Sequence, residues 1–222
     1  MERILEVCAG NIESAVAAAK AGAKRIELCA DLLHDGLTPP LSVLQEVRKR
    51  YPDLVIHVLI RPRDGDFVYN HDEVDAMERV ISAMLPWADG IVCGALAADG
   101  EVDVTTMNRL VHASNGKSFT FHRAFDVCRN PFKALDQIIE SGCDRVLTSG
   151  QQPTAEQGIE LLCKLQEYAA SRIIVMPGGG VNSENARRIL GITKCHEIHG
   201  SASLGTGVTQ EAEVRSIIAS LE

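Results

Sequence analysis

Short β-type runs alternate with amphipathic helical patterns along the whole chain. The β-type runs lie near residues 3–8, 25–29, 54–60, 89–93, 118–122, 144–148, 172–176 and 196–199. Helical periodicity fills the intervals, at 11–21, 41–51, 71–85, 103–114, 131–141, 154–169, 182–190 and 210–220. Eight strand–helix units in 222 residues predict a single α/β domain over residues 1–222, folded as a (β/α)8 TIM barrel. A doubly wound open sheet is the alternative.

The polarity of the strands favours the barrel. A parallel sheet that is buried on both faces needs nearly continuous apolar strands, whereas these strands alternate. Side chains at i and i+2 share a face, and one face is apolar, with Leu5, Val7, Ile26, Leu28, Ile56, Val58, Ile60, Phe119 and Phe121. The opposite face, which we expect to line the barrel, carries Glu6, Cys8, Glu27, Cys29, His57, Arg61, Thr120, His122, Glu197 and His199.

Segments 5–9 and 26–30 have nearly the same sequence, with a Glu and a Cys on one face of each. If these strands are parallel neighbours, the carboxylates of Glu6 and Glu27 form one cluster and the thiols another beyond it. Burying an unpaired charge costs on the order of several kcal/mol. These groups must therefore pair with each other, with water, with a metal or with a ligand. An internal ion-pair network that merely satisfies itself is the alternative.

Ligands of such a barrel bind at the carboxyl ends of its strands. A triple-glycine loop follows the seventh strand and opens into a helix at Asn182, and a small-residue loop follows the eighth. Backbone N–H groups and a helix N-terminus at these two loops commonly bind phosphate. A tight turn that needs positive φ would contain the same glycines. The predicted anion-binding residues of these loops are Gly178, Gly179, Gly180, Gly200 and Ser201.

Two arginines and a histidine lie at other strand ends. Arg61 begins the proline-stiffened loop 61–69, and Arg123 follows His122, so both guanidinium groups suit a carboxylate or a phosphate. Asp64 and Asp66 of the same loop could instead neutralise Arg61 and its neighbour Arg63 in solvent. His122 and Glu27 are candidate acid/base catalysts, with Arg61 orienting the substrate. These residues indicate a lyase- or isomerase-type enzyme for a small phosphorylated or carboxylated metabolite.

Composition and motifs exclude several classes of function. The net charge of −8 argues against nucleic acid or an anionic membrane as a partner. The sequence has no transmembrane run and no signal-peptide pattern, so the expected location is the cytoplasm. No Gly-x-Gly-x-x-Gly follows a strand, and no lysine lies at the carboxyl end of a strand. A nucleotide cofactor and a Schiff-base aldolase are therefore not expected.

The seven cysteines, an odd number, predict reduced thiols rather than structural disulfides. Two thiolates can hold Cu(I) in a low-coordinate site, and neighbouring parallel strands lie about 4.8 Å apart. Cys8 and Cys29 are thus a candidate copper pair, although the nearby carboxylates would raise the thiol pKa values. Small buried hydrophobic residues are the alternative. Cys93, at the end of a strand, is a minor further candidate.

Several motifs together resemble a known family. They are Glu-Val-Cys-Ala, Arg-Ile-Glu-Leu-Cys, Ile-Arg-Pro-Arg-x-Gly-Asp-Phe-Val-Tyr, Thr-Phe-His-Arg-Ala-Phe-Asp, Arg-Val-Leu-Thr-Ser-Gly and Val-Met-Pro-Gly-Gly-Gly-Val. With these motifs, and with His199-Gly-Ser-Ala after them, the chain resembles the CutC copper homeostasis protein family over nearly its whole length.

The resemblance implies a cytosolic TIM barrel that forms a homo-oligomer, a dimer, and acts in copper tolerance. It implies that Cu(I) is the bound ion and that Cys8 and Cys29 hold it. The segment 32–40 departs from the family's Gly-rich loop, and His34 and Asp35 there would add polar groups near the rim. The expected ligand is thus a copper ion or a small anionic metabolite, and whether the chain is an enzyme stays open.

Overall fold

Parallel strands alternate with helices along the chain. The computed structural model describes residues 3–32 and 35–222, so the polar group predicted at His34 lies outside the described residues. The strands are β1 (Ile4–Ala9), β2 (Arg25–Leu28), β3 (Val55–Leu59), β4 (Gly90–Cys93), β5 (Ser118–Phe121), β6 (Arg145–Thr148), β7 (Ile174–Pro177) and β8 (Glu197–Gly200). Each of them lies within the corresponding predicted run or extends past it by one residue.

The helices lie between the strands. They are α1 (Ile12–Lys20), α2 (Leu41–Arg50), α3 (His71–Met84), α4 (Val104–Ala113), α5 (Pro131–Glu140), α6 (Ile159–Ala169), α7 (Ala186–Thr193) and α8 (Glu211–Leu221). Asn11 and Asn130 cap α1 and α5, because their side chains accept hydrogen bonds from backbone N–H groups of the first turn.

Two helices begin four or five residues later than predicted. α6 begins at Ile159 rather than at 154, and α7 begins at Ala186 rather than at 182. Before α7, the side chain of Asn182 accepts hydrogen bonds from the backbone N–H groups of Glu184 and Asn185. Asn182 therefore closes a separate turn, a local alternative that asparagine offers to the helix.

The strands form one eight-stranded parallel sheet in the order β7-β6-β5-β4-β3-β2-β1-β8. Between β7 and β8 an isolated parallel bridge pairs Gly178 with His199 and brings the two edges together. A nearly closed parallel barrel alternating with helices is a TIM barrel. The predicted fold is confirmed, and the open-sheet alternative is wrong. No helix in the described part of the chain is long and apolar enough to cross a membrane.

The hydrophobic core lies between the strands and the helices. Ile26, Ile56 and Phe119 of the strands are buried in one cluster with Leu44 and Met77 of the helices. Burying an aliphatic or aromatic side chain of this size contributes about 1.5–3 kcal/mol. This core fixes the strands, and the other face of each strand directs its side chains into the barrel.

The lower part of the barrel interior is a network of buried charges. Oε2 of Glu6, a residue with 0% exposure, lies 2.6 Å from Arg25 Nε and 3.0 Å from His57 Nδ1. Glu197 accepts hydrogen bonds from Arg25 and from Arg145 Nε, the latter at 2.7 Å. The deepest charges thus pair with each other, as the ion-pair alternative from the sequence predicted.

The register of β1 and β2 places the two repeated motifs, 5–9 and 26–30, at different heights along the barrel axis. Glu6 pairs with Arg25, and Cys8 pairs with Glu27. Glu6 therefore lies in the deep network, whereas Glu27 is level with Cys8. The thiols of Cys8 and Cys29 do lie together, but the expectation that Glu6 and Glu27 are level with each other is wrong, because strands of a barrel are staggered relative to their neighbours.

Candidate functional site

A cavity of about 520 Å³ opens at the carboxyl ends of the strands. A volume of this size suits a small molecule. The predicted site residues that line it are Cys8, Glu27, Arg61, His122, Arg123, Gly179, Gly180, Gly200 and Ser201. Cys29 and Gly178 lie outside this lining. The cavity is completed by Leu32, Asp35, Leu59, Gly65, Phe67, Asp126, Val127, Leu147, Val181 and His199.

Three buried groups from neighbouring strands meet in this cavity, at what we call its floor. Cys8 Sγ, a carboxylate oxygen of Glu27 and a ring nitrogen of His199 all lie within 4.8 Å of one another. They are close because β1 lies between β2 and β8 in the sheet. The Cys8 thiol donates to Glu27 Oε1 at 3.8 Å. Glu27 Oε2 is buried and has no hydrogen-bond partner in the described residues.

His199 is oriented by Glu6, whose Oε1 lies 3.0 Å from His199 Nδ1. Burial raises the pKa of Glu6, but hydrogen bonds from His199 and His57 and the charge of Arg25 hold it well below its ordinary value. An ionised carboxylate can only accept hydrogen bonds, so Nδ1 of His199 carries a proton. The other ring nitrogen, Nε2, is left for the groups at the floor.

The floor groups have perturbed proton affinities. Burial raises the pKa of Glu27, and the charge of His199 opposes this only in part. Contact with Cys29, together with burial, raises the pKa of Cys8 well above its ordinary value. Burial lowers the pKa of His199, but contacts with Cys8 and the two glutamates outweigh burial and raise it. These surroundings favour a cation, whether a proton or a metal ion.

His122 lines another part of the cavity as a neutral imidazole. Its Nδ1 accepts a hydrogen bond from the backbone N–H of Ala124 at 3.2 Å, so the proton of the neutral ring is on Nε2. Burial and the nearby charge of Arg61 lower the pKa of His122 to about 3. Nε2 is buried without a hydrogen-bond partner in the described residues. A neutral N–H donor can polarise a substrate oxygen.

Glycines on neighbouring strand positions leave room for the interior histidines. A Cβ at Gly94 would lie 2.7 Å from His122 Nδ1, and a Cβ at Gly90 would lie 2.5 Å from His57 Cδ2. Both separations are shorter than van der Waals contact. The two imidazole rings therefore occupy space that a side chain on the adjacent strand would fill.

Arg61 is buried in the cavity wall beside Phe67. Its Nη1 and Nη2 donate to the carbonyls of Gly36 and Gly65, each at 3.1 Å. The guanidinium carbon lies 5.0 Å from the centre of the Phe67 ring, and that centre lies 5.0 Å from the centre of the His122 ring. Phe67 thus contacts both groups. Phe67 could not be predicted as a site residue, because an aromatic side chain in a loop gives no signal beyond its apolarity.

Asp126 is a further site residue that was not among the predicted ones. Its carboxylate accepts hydrogen bonds from Arg123 Nε at 2.7 Å and from the backbone N–H and hydroxyl of Ser149, both at 3.0 Å. The hydroxyl of Thr148 also donates to it. Asp126 therefore ties the short 3₁₀ helix Arg123–Val127 to the end of β6. The only local signal was its spacing, three residues after an arginine at a strand end.

The backbone of the triple-glycine loop needs glycine for two different reasons. Gly179 and Gly180 line the cavity and have positive φ values of 97° and 70°. A Cβ at Gly178 would lie 2.5 Å from Leu147 Cδ1 and 3.3 Å from His199 Cβ. Close packing at Gly178 and left-handed backbone at Gly179 and Gly180 account for the three glycines, as the tight-turn alternative predicted.

The backbone N–H groups of the turn after this loop already donate hydrogen bonds within the protein. Those of Glu184 and Asn185 donate to Asn182 Oδ1 at 3.0 and 3.1 Å, and that of Ser183 donates to Glu213 Oε1 at 2.6 Å. The prediction that a helix N-terminus here faces an anion is therefore wrong. An anion in the cavity would be bound by side chains such as Arg123.

The candidate thiols lie close together. Cys8 Sγ and Cys29 Sγ are 3.6 Å apart, and the pair is packed against Leu32, Leu59 and Val92. All seven cysteines are free thiols. Cys93 lies instead in the core between the sheet and the helices, where burial raises its pKa to about 12. The prediction of Cys93 as a minor site candidate is therefore wrong.

Comparison with known proteins points to one family. The model of the CutC family matches residues 3–204 of the chain. A family protein CutC of Bacteroides thetaiotaomicron is 51% identical over 198 residues, which cover 89% of this chain and 80% of that protein. The mouse copper homeostasis protein cutC homolog is 45% identical over 200 residues, which cover 90% of this chain and 73% of the mouse protein.

A solved structure agrees with these sequence relatives. The CutC structure from Streptococcus agalactiae superposes with a TM-score of 0.86 at 33% sequence identity. The match covers 90% of this chain and 98% of that chain. The barrel described above is thus similar to this solved structure along nearly its whole length.

Proposed function

The chain belongs to the CutC family, and on this premise we propose that it acts in copper homeostasis by binding Cu(I) through Cys8 and Cys29. The observation that carries the proposal is the separation of 3.6 Å between the two buried sulfurs. Soft thiolates select Cu(I). We also propose a cytoplasmic location, because a reducing compartment keeps such thiols reduced. The proposed assembly is a homodimer.

The sulfur separation favours a bent site. If the metal–sulfur bonds measure about 2.3 Å, the value for zinc thiolates, a linear site would separate the sulfurs by about 4.6 Å. At 3.6 Å, the same bonds give a sulfur–metal–sulfur angle of roughly 100°. Such an ion would be open to a further donor on one side.

The surroundings of the thiols support a monovalent soft ion. The apolar side chains of Leu59 and Val92 pack against the pair, which gives the two sulfurs an apolar environment on that side. Contact with Cys29 and burial raise the pKa of Cys8, so the Cys8 thiol keeps its proton in the absence of the ion. Binding of Cu(I) would release this proton, and the affinity should increase with pH.

Loss of either thiol is expected to abolish tight Cu(I) binding. Titrated without oxygen against a chromophoric Cu(I) chelator, the protein should bind one ion per chain. C8S and C29S should each weaken binding by about 100-fold or more, because a single soft ligand remains.

The matched control for this titration is C163S. Cys163 lies in α6 and is half-buried, so C163S should bind Cu(I) like the unchanged protein. Unaltered Cu(I) affinity in the double variant C8S/C29S would refute the proposal.

As a second candidate function, we propose catalysis on a small anionic metabolite. The observation that favours it is that Glu27 and His122 line one cavity while their pKa values move in opposite directions. A carboxyl group with a raised pKa can act as a general acid, and a neutral imidazole can donate a hydrogen bond to a substrate oxygen. Arg61 and Arg123 line the same cavity and supply positive charge for a carboxylate or a phosphate.

Binding of an anion tests this second function. Inorganic phosphate, titrated by calorimetry, should bind to the protein, and R123Q should weaken its binding about tenfold, the effect of one charge-assisted hydrogen bond. R215Q is the control, because Arg215 lies on α8 and pairs with Glu211 at 2.9 Å. Equal affinities of the R123Q and R215Q variants, or no binding of phosphate at millimolar concentration, would count against catalysis on such a metabolite.

A further inference from the structure

The floor of the cavity holds a second set of metal donors besides the two thiols. Cys8 Sγ, a Glu27 carboxylate oxygen and a His199 ring nitrogen lie within 4.8 Å of one another. In the described residues this set of mutually close donors does not include Cys29. A thiolate, an imidazole and a carboxylate together form a mixed donor set, which suits a borderline divalent ion such as Zn²⁺ better than Cu(I).

The orientation of His199 fits a metal ligand. Its Nδ1 donates to Glu6 Oε1 across 3.0 Å, which leaves Nε2 as the coordinating atom. Histidines that bind zinc almost always donate their other N–H to a carboxylate or a carbonyl, which fixes the tautomer and the ring. Glu6 is itself held by Arg25 Nε at 2.6 Å and by His57 Nδ1 at 3.0 Å. The residues that would hold His199 in the orientation of a metal ligand are therefore present.

Glu27 supplies an independent sign of a missing ligand. It is 4% exposed, and its Oε2 has no hydrogen-bond partner in the described residues. A buried carboxylate oxygen without a partner is unfavourable, because it has lost its hydrogen bonds to water. A cation bound between Glu27, Cys8 and His199 would satisfy this oxygen.

The geometry points to a divalent-metal site, and we propose that Cys8, Glu27 and His199 bind Zn²⁺ with one coordination position open to the cavity. Three protein ligands with an open fourth position are the pattern of catalytic rather than structural zinc sites. All three ligands line the cavity, as do Arg61 and Arg123. The fourth ligand would then be a water molecule or the anionic oxygen of a small metabolite.

This site differs from the copper pair by its ligands. Both use Cys8, but Cu(I) requires Cys29, whereas Zn²⁺ requires Glu27 and His199. Single substitutions at the unshared positions therefore separate the two sites, and one can fail without the other.

Cobalt is the spectroscopic probe, because Co²⁺ replaces Zn²⁺ in such sites and absorbs when bound by a thiolate. Titrated under anaerobic conditions with a thiol-free reductant, the full chain should bind one Co²⁺, and one equivalent of Zn²⁺ should displace it. E27Q and H199Q should each weaken Co²⁺ binding by about 10–100-fold or more. C29S should keep the Co²⁺ spectrum while losing Cu(I).

Three results would overturn the zinc site. They are the absence of a cobalt–thiolate band in the unchanged protein, cobalt affinities of E27Q and H199Q equal to that of the unchanged protein, and loss of the cobalt band in C29S. The last result would assign any divalent binding to the thiol pair alone. E27Q is nearly isosteric, and far-UV circular dichroism of each variant shows whether it is folded, so that loss of the ligand is distinguished from loss of the fold.

Discussion

Replacement of Glu6 by glutamine is expected to lower the free energy of unfolding by about 3–5 kcal/mol. Arg25 Nε lies 2.6 Å from the fully buried carboxylate of Glu6. The Nδ1 atoms of His57 and His199 each lie 3.0 Å from it. A glutamine has one acceptor oxygen and an NH₂ group that would face a donor. At least one buried cationic or polar group then loses its partner, and the melting temperature should fall by roughly 6–20 °C.

The control for this variant is E46Q. Glu46 and Arg50 form an exposed pair on α2, with Oε1 and Nε 2.7 Å apart. Exposed pairs of this kind contribute little, so E46Q should change the free energy of unfolding by no more than about 0.5 kcal/mol. Denaturant unfolding of both variants measures the difference. A value for E6Q as small as that for E46Q would show that Glu6 does not stabilise the fold as an ion.

The effect of E6Q should also depend on pH. The pKa of Glu6 is held well below its ordinary value of 4.5, so its stabilisation is present above pH 4.5 and is lost as the pH falls through the folded-state pKa. The difference in stability between the unchanged protein and E6Q should therefore be full at neutral pH and should shrink in acid below pH 4.5.

Replacement of Gly94 by alanine is expected to cost about 1–3 kcal/mol and to displace the ring of His122. The new methyl group would lie 2.7 Å from His122 Nδ1 and 3.2 Å from Phe121 Cε1. The ring must rotate or shift, and it then loses the hydrogen bond that its Nδ1 accepts from Ala124. Denaturant unfolding measures the stability, and ¹⁵N NMR of the imidazole nitrogens detects the loss of the Nε2–H tautomer.

G191A is the matched control, with an effect of opposite sign. Gly191 lies within α7, and no atom lies within 4 Å of the position of an added Cβ. Alanine has the higher helix propensity, so G191A should stabilise the protein by about 0.5–1 kcal/mol. If G94A were as stable as G191A and kept the imidazole tautomer, the close packing of Gly94 against His122 would not constrain the site.

The side-chain face of each strand residue could be predicted from the sequence, because the period of two is a local property of the backbone. Glu6, His57 and His122 all lie in the barrel interior for this reason. Which of these side chains lie at the same height along the barrel axis could not be predicted. The height of a residue depends on the stagger between strands, and the stagger is set by closure of the whole barrel. The error over Glu6 and Glu27 comes from this step.

The anion-binding loops show a second limit. Positive φ at Gly179 and Gly180 was one of two interpretations of the sequence, and it is the one that the backbone supports. The N–H groups after the loop are bonded to Asn182 and to Glu213 of α8. The contact of Ser183 with Glu213 joins residues 30 positions apart and has no local signature, so the sequence could not show that the N–H group of Ser183 is occupied.

Residues that act through loops were the hardest to predict. Asp126 and Phe67 each orient an arginine that the sequence did identify. Their roles depend on where the 3₁₀ helix and the loop 61–69 fold back over the rim, which no periodicity describes. His199, in contrast, was assigned to the interior by strand parity, but its pairing with Glu6 required the register of β1 and β8.

The glycines that face interior histidines limit how the sequence can change over evolution. Gly90 and His57, or Gly94 and His122, share one volume between two adjacent strands. A larger residue at either glycine requires a smaller one at its histidine, so replacement of the glycine first gives an overpacked intermediate and replacement of the histidine first leaves a cavity. Members of each pair should be replaced together or not at all. For anyone redesigning this barrel, each glycine–histidine pair is a single unit of substitution.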